Sequence, residues 1–130
     1  LKNIMIHLLH WKSNFIFIED LLDSWEAVIR NPEKCAGEIF CLGPDNAIRI
    51  SDYVDLIAKK LGWQGKVHWD KKPERPGEIF ILNSSNAKIT EKLGWEPKVT
   101  LDEGLDRTIA IWKQIHSKNT KFKNITNIIA

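Results

Sequence analysis

Two predicted helices are joined by residues 93–105, which read Leu93-Gly94-Trp95-Glu96-Pro97-Lys98-Val99-Thr100-Leu101-Asp102-Glu103-Gly104-Leu105. Gly94 supplies the left-handed residue that commonly ends a helix. Thr100 and Glu103 have the capping-box pattern, in which threonine accepts a backbone N–H and glutamate reaches back to another. The pattern therefore predicts a helix from 101 to about 116, with one apolar face formed by Leu105, Ile109, Trp112 and Ile115.

Two more helices are predicted upstream of this pair. The first has helically spaced apolar residues from Ile18 to Ile29, and Asn31-Pro32 stops it because the residue before proline avoids the α region. The second is predicted to be N-capped by Ser51 and to end at Gly62. The first helix of the pair itself is short and is predicted to be capped by Ser85 and to run to Leu93.

Short runs of aromatic and β-branched residues predict strands between these helices. The predicted strands are residues 15–18, 38–42, 66–69 and 78–82, with a turn at 43–46 and a loop at 70–77. Alternation of such strands with helices predicts a small α/β fold of short strands and three to four main helices. The six tryptophans are dispersed, and Trp25 and Trp112 are predicted to pack in the core.

Composition excludes several classes of function. The chain has 130 residues and a net charge of +2, which does not favour a nucleic-acid-binding protein despite Lys118, Lys121 and Lys123 near its end. No apolar run approaches the 18 residues of a membrane span, so no membrane partner is expected. Cys35 and Cys41 lack metal or redox spacing, which favours reduced thiols and a cytoplasmic location.

Most catalytic patterns are absent from the sequence. Its seven glycines form no dinucleotide-binding loop, so no cofactor is expected to bind this chain alone. The single tyrosine, Tyr53, belongs to an apolar helical stripe and is predicted to be a packing residue. His7 and His10 have no evident third ligand, so no metal site is predicted. We predict no catalytic residue.

One candidate binding residue is Arg75, in the segment Arg75-Pro76-Gly77-Glu78. A guanidinium can grip a diphosphate with two parallel hydrogen bonds, which a lysine cannot reproduce. Pro76 stiffens the backbone beside it, and Gly77 allows a ligand to approach closely. From the residues alone, a solvated arginine in a charged loop is the favoured interpretation, and only a family resemblance reverses this preference.

Six segments in this order resemble the C-terminal, substrate-binding part of the extended short-chain dehydrogenase/reductase family, the NAD(P)-dependent nucleotide-sugar epimerases and dehydratases. The resemblance covers roughly residues 13 to 116, and the segments are Asn14–Leu21, Cys41–Asn46, Arg75–Glu78, Ser85–Lys88, Leu93–Pro97 and Leu101–Leu105. It implies that Arg75 contacts the nucleotide diphosphate and that Glu78 lies near the nucleotide ribose. It also implies that NAD(P) serves the complete enzyme.

This chain departs from the family pattern at three positions. The family's arginine and aspartate before the aromatic residue fall on Ser13 and Asn14, and a turn glycine falls on Asp45. Ser13 carries no charge, so one usual diphosphate contact is in doubt. The family's acid–base pair, Tyr-x-x-x-Lys, is also missing, because Ile57 stands four residues after Tyr53.

The sequence thus predicts a nucleotide-sugar-binding lobe over residues 1–117 and a polar tail over 118–130, without the Rossmann half. The start at Leu1 instead of Met is consistent with a processed or truncated product. We expect the chain alone to bind a nucleotide-diphosphate sugar weakly and to be inactive. The alternative is a non-enzymatic remnant or interaction module that pairs with a Rossmann domain in cis or in trans.

Overall fold

A computed structural model describes residues 3–6, 11–69, 77 and 79–118 of the chain. In these residues five strands and five helices follow one another in a mixed order. The strands are β1 (Asn3–Ile6), β2 (Lys12–Ser13), β3 (Ile48–Arg49), β4 (Lys66–Trp69) and β5 (Ile81–Leu82). The helices are α1 (Ile18–Ile29), α2 (Pro32–Cys35), α3 (Ile50–Leu61), α4 (Ala87–Leu93) and α5 (Leu101–Lys118).

The strands form two small sheets. In the first, β1 pairs with β4 in parallel, with Asn3 opposite Lys66. In the second, β2 lies between β3, to which it is antiparallel, and β5, to which it is parallel. The prediction of a small α/β fold with four main helices is confirmed, and α2 adds a single extra turn that starts at Pro32.

Local sequence signals placed the helix ends correctly. Gly62 and Gly94 both follow their helices in the left-handed conformation, with φ of 64° and 67°. Only glycine adopts this conformation without steric cost, which explains why the two helices stop there. The prediction that α1 stops before Asn31-Pro32 is also confirmed, since α1 ends at Ile29.

Two predicted strands are wrong. Residues 15–17 are irregular, because the Phe17 carbonyl already accepts the Leu21 N–H as the first hydrogen bond of α1. Residues 38–42 are irregular because side chains satisfy their carbonyls, where a strand would need a neighbouring backbone. Lys88 Nζ donates to the Ile39 oxygen at 3.0 Å, and Ser84 Oγ donates to the Leu42 oxygen at 2.9 Å.

Three predicted helix caps also differ from the structure. At α4 the N-cap residue is Asn86, and Ser85, one position earlier, accepts the Ala87 N–H through its Oγ at 3.2 Å. Arg49 and not Ser51 occupies the N-cap position of α3, because the β2–β3 pairing carries the extended backbone up to residue 49. At α5 only half of the capping box forms. Thr100 Oγ1 accepts the Glu103 N–H at 3.3 Å, while the Glu103 side chain pairs with Arg107 instead of reaching back.

The fully packed core is small. Among the described residues, the buried apolar side chains are Ile89, Trp95 and Leu105. The predicted core positions of Trp25 and Trp112 are wrong, since these side chains are 54% and 60% exposed. Their helices do have apolar stripes, but these two side chains lie where the stripes remain largely open to solvent.

No helix in the described part of the chain is long and apolar enough to cross a bilayer. The predicted boundary between residues 117 and 118 stays a prediction, because residues 119–130 lie outside the described part.

Candidate functional site

The candidate site is a cleft of about 390 Å³ between three segments that are distant in sequence. One wall is the β2–α1 link with Phe15 and Ile16, the second is the turn at 44–48, and the third is the link at 97–101. Each wall contains or adjoins a segment that carries the resemblance described above. The fold therefore brings these segments together although 30 to 80 positions separate them.

Asn14 connects the segments. Its Nδ2 donates to the Pro44 carbonyl oxygen at 2.8 Å and to the Ser84 carbonyl oxygen at 2.9 Å. These acceptors are 30 and 70 positions away in sequence. Both acceptors are main-chain oxygens, so the amide fixes two backbone segments against the β2–α1 link.

A second layer of hydrogen bonds lies beside Asn14. Asn86 Oδ1 accepts the Gly43 N–H at 2.8 Å, and Asn86 is buried. Ser84 Oγ lies 3.1 Å from Asn14 Nδ2, and its bond to the Leu42 oxygen holds the same turn. Gly43 fits here because it has no side chain: a Cβ at this position would lie 2.3 Å from Ser84 Oγ. We refer to Asn14, Gly43, Pro44, Ser84 and Asn86 as the Asn14 cluster.

Asp20 holds the third wall of the cleft. This α1 carboxylate is 2% exposed, and it accepts the backbone N–H groups of Lys98 and Val99, both at 3.0 Å. Two backbone donors therefore satisfy a buried negative charge, which is the condition for burying it at all. Asp20 fixes the position of the 97–101 link relative to α1.

Tyr53 adjoins this region without the features of a catalytic tyrosine. It is half-buried, and its ring stacks on Phe15 with centroids 4.0 Å apart. Burial raises the pKa of Tyr53, whereas an acid–base tyrosine needs a neighbouring cation that lowers it. Tyr53 therefore fits the role of a packing residue, as its place in an apolar helical stripe predicts.

The two residues singled out for substrate binding, Arg75 and Glu78, lie outside the described residues. Gly77 between them is described, and it adopts a turn with φ of 82°, a conformation that glycine favours. Ser13, which stands where the family has an arginine, lies in β2 at the centre of the three-stranded sheet. His7 and His10 are also outside the described residues, and no group of three potential metal ligands occurs in the described ones.

Sequence reasoning missed two residues that define this region. Along the sequence Asp20 is only an acidic residue in the first turn of α1, where a negative charge is favourable. Asn14 was noted only as a departure from the family pattern. No local pattern marks either residue as buried or central, because their partners are 30 to 79 positions away.

Comparisons with known proteins agree with this geometry. The sequence profile of the GDP-mannose 4,6-dehydratase family matches residues 12–108, which include every segment that lines the cleft. The curated proteins that were searched gave no match.

Solved structures show the same fold at low sequence identity. RMD from Pseudomonas aeruginosa, complexed with NADPH, aligns with 88% of this chain at 17% identity and a TM-score of 0.74. UDP-glucose 4-epimerase from Thermotoga maritima, with UDP-glucose, aligns with 87% at 22% identity and a TM-score of 0.74. UDP-glucuronic acid 4-epimerase from Bacillus cereus, with UDP-glucuronic acid and NAD, aligns with 87% at 21% identity and a TM-score of 0.73. This chain spans only 35% to 36% of the length of these proteins.

Proposed function

The chain belongs to the GDP-mannose 4,6-dehydratase family, within the extended short-chain dehydrogenases/reductases, and from this premise we propose that it is the nucleotide-sugar-binding portion of an NAD(P)-dependent epimerase or dehydratase. The proposal includes weak binding of a nucleotide-diphosphate sugar by the chain alone and no turnover. A cytoplasmic location without nucleic-acid or membrane partners is part of the proposal, and the nearly balanced charge supports the lack of a nucleic-acid partner.

One observation carries the proposal: the Asn14 cluster joins three of the segments on which the family resemblance rests. Asn14 reaches the 41–46 turn through Pro44 and the segment before Ser85 through Ser84. A fold that fixes these backbone segments beside a cleft can hold a ligand in a defined orientation, which is how remote binding interactions assist a reaction elsewhere. The gripping residues proposed here are Arg75 for the diphosphate and Glu78 for the ribose.

The described part of this chain offers no site that fits the dinucleotide cofactor. It lacks the glycine-rich loop, and its single tyrosine is a half-buried residue with a raised pKa. NAD(P) would therefore be held by a Rossmann domain, and the chemistry that this chain contributes is to bind and orient the sugar nucleotide and to exclude water. The chain alone is proposed to be inactive because the cofactor would be bound by this other domain.

Calorimetric titration with UDP-, GDP-, CDP- and dTDP-sugars tests the binding role. We expect one of these classes to bind measurably and Arg75→Ala to weaken that binding about tenfold, the effect of losing a charge-assisted contact. Arg30→Ala is the matched control, because Arg30 is an exposed guanidinium directly after α1 that pairs with Glu26. Equal affinity of Arg75→Ala and the parent chain would show that Arg75 does not grip the ligand.

A second candidate function, that of an interaction module, is favoured by an exposed apolar stripe on α1. Four residues at helical spacing form it and are between 51% and 76% exposed: Ile18, Leu22, Trp25 and Ile29. Contiguous exposed apolar surface of this kind marks a protein–protein contact. We propose that the α1 stripe contacts a Rossmann domain, in cis or in trans.

Light scattering on mixtures with a separately produced Rossmann domain from a family member tests the trans form. We expect a 1:1 complex that Leu22→Lys abolishes, because a lysine in an apolar contact would lose its solvation. Glu33→Lys, on the exposed turn of α2, is the matched control and should leave the complex intact. A complex that tolerates Leu22→Lys would place the contact elsewhere on the chain.

A further inference from the structure

Two cations lie directly opposite each other in the three-stranded sheet. The register of β2 and β3 pairs Lys12 with Arg49. Trp11 and Ile50 form the neighbouring pair, in which the Ile50 N–H donates to the Trp11 carbonyl oxygen at 2.9 Å. Hydrogen-bonded and non-hydrogen-bonded pairs alternate along an antiparallel ladder, so Lys12 and Arg49 form a non-hydrogen-bonded pair. Side chains approach most closely in such pairs, with Cβ atoms about 4.5–5.5 Å apart on the same face of the sheet.

No acidic side chain compensates these two charges within the described part of the chain. The cations that form ion pairs there are Arg30, Lys60, Lys88, Lys92, Lys98 and Arg107. Lys12 and Arg49 are absent from this set. Asp52, the nearest acid along α3, accepts a hydrogen bond from Ser51 Oγ at 3.3 Å.

Such a pair has an electrostatic cost in the free protein. Like charges directly opposite each other in a sheet are destabilising, and the cost is largest at low ionic strength. An anion placed between the two side chains would convert this repulsion into two attractive contacts. A bound anion would therefore stabilise this part of the sheet.

We propose that Lys12 and Arg49 form a binding site for a phosphate group. An ammonium and a guanidinium side by side offer a point charge together with a planar fork of donors, and both bind phosphate oxygens well. Successive residues of a strand point to opposite faces, so this site is on the opposite face from Ser13 and is distinct from the position of the family's arginine. The site does not depend on Arg75 or on the proposed function.

Titration of the whole chain with inorganic pyrophosphate, at low and at physiological salt, tests the site. We expect Arg49→Gln and Lys12→Gln each to weaken binding about tenfold, as loss of a charge-assisted hydrogen bond does. Arg49→Lys keeps the charge but loses the planar fork of donors, so it should weaken binding less than Arg49→Gln does. Lys34→Gln, which removes a charge from exposed α2, is the matched control and should have no effect.

A second measurement keeps the test decisive if one variant folds poorly. Without any anion, Lys12→Gln should raise the melting temperature at low salt, because it removes the repulsion. Pyrophosphate binding that neither Gln variant changes overturns the proposal, and so does a lower melting temperature of Lys12→Gln.

Titration with nucleotide sugars shows whether the phosphate that this site binds belongs to a nucleotide diphosphate. Binding of a nucleotide sugar that weakens in Arg49→Gln identifies the ligand as a nucleotide diphosphate. Pyrophosphate binding without any nucleotide-sugar binding leaves this site standing while the proposed function fails. Nucleotide-sugar binding that depends on Arg75 alone, with no pyrophosphate bound at Lys12 and Arg49, would support the proposed function and overturn the phosphate site.

Discussion

Replacement of the buried carboxylate in Asp20→Ala is expected to lower the free energy of unfolding by about 3 kcal/mol. Asp20 is 2% exposed and accepts the N–H groups of Lys98 and Val99. Alanine would leave both donors without their acceptor, and hydrogen bonds to a charged group contribute about 1.5–3 kcal/mol each. Water entering the cleft can satisfy one of them, so the expected total is below the sum.

Urea unfolding followed by tryptophan fluorescence measures this loss. Asp23→Ala is the matched control from the same helix. Asp23 lies 3.8 Å from Lys98 Nζ, and both side chains are largely exposed, so its removal should change stability by no more than about 0.5 kcal/mol. If the two variants unfold at the same urea concentration, Asp20 does not hold the 97–101 link.

The second large effect is expected for Gly43→Ala, at about 2–3 kcal/mol of lost stability. An added Cβ would lie 2.3 Å from Ser84 Oγ and 2.6 Å from Asn14 Nδ2. Real Cβ atoms do not approach so closely, so at least one of these side chains must move and give up its hydrogen bonds. The backbone of Gly43 does not have a positive φ, so the cost is steric and not conformational.

A double-mutant cycle with Ser84→Ala separates the causes. Removing the hydroxyl relieves the shorter of the two contacts, so the two substitutions should be strongly non-additive. Gly37→Ala serves as the control, because Gly37 has a φ of 75° but nothing within 4 Å of an added Cβ. That variant should show only the backbone cost of about 1 kcal/mol. Additivity of Gly43→Ala and Ser84→Ala would contradict the proposed clash.

The cleft and the Asn14 cluster together explain why short motifs carry so much of the family resemblance. The residues in these motifs are mostly small or polar, and several of them hold backbone segments in place. Ligand contacts are proposed for Arg75 and Glu78, in a different segment. A chain can thus keep the fold through Asn14, Gly43 and Ser84 while the residues that grip the ligand change.

Sequence alone determined the four main helices of this protein and the family to which it belongs. Apolar residues at helical spacing, ended by Gly62 and Gly94, specify α3 and α4 through interactions within a few residues, and such interactions are readable along the chain. The quoted motifs identified the family for a similar reason, since their order and composition can be read from the sequence without knowing which residues are in contact.

Tertiary structure alone decided the irregular segments and the buried polar contacts. Residues 38–42 have the composition of a strand, yet Lys88 and Ser84 satisfy their carbonyls, so no strand forms. Asp20, Asn14 and the Lys12–Arg49 pair acquire their roles from partners 30 to 79 positions away. A hydrogen bond or a charge contact depends on distances of a few ångströms, and only the folded backbone sets those distances between residues so far apart in sequence.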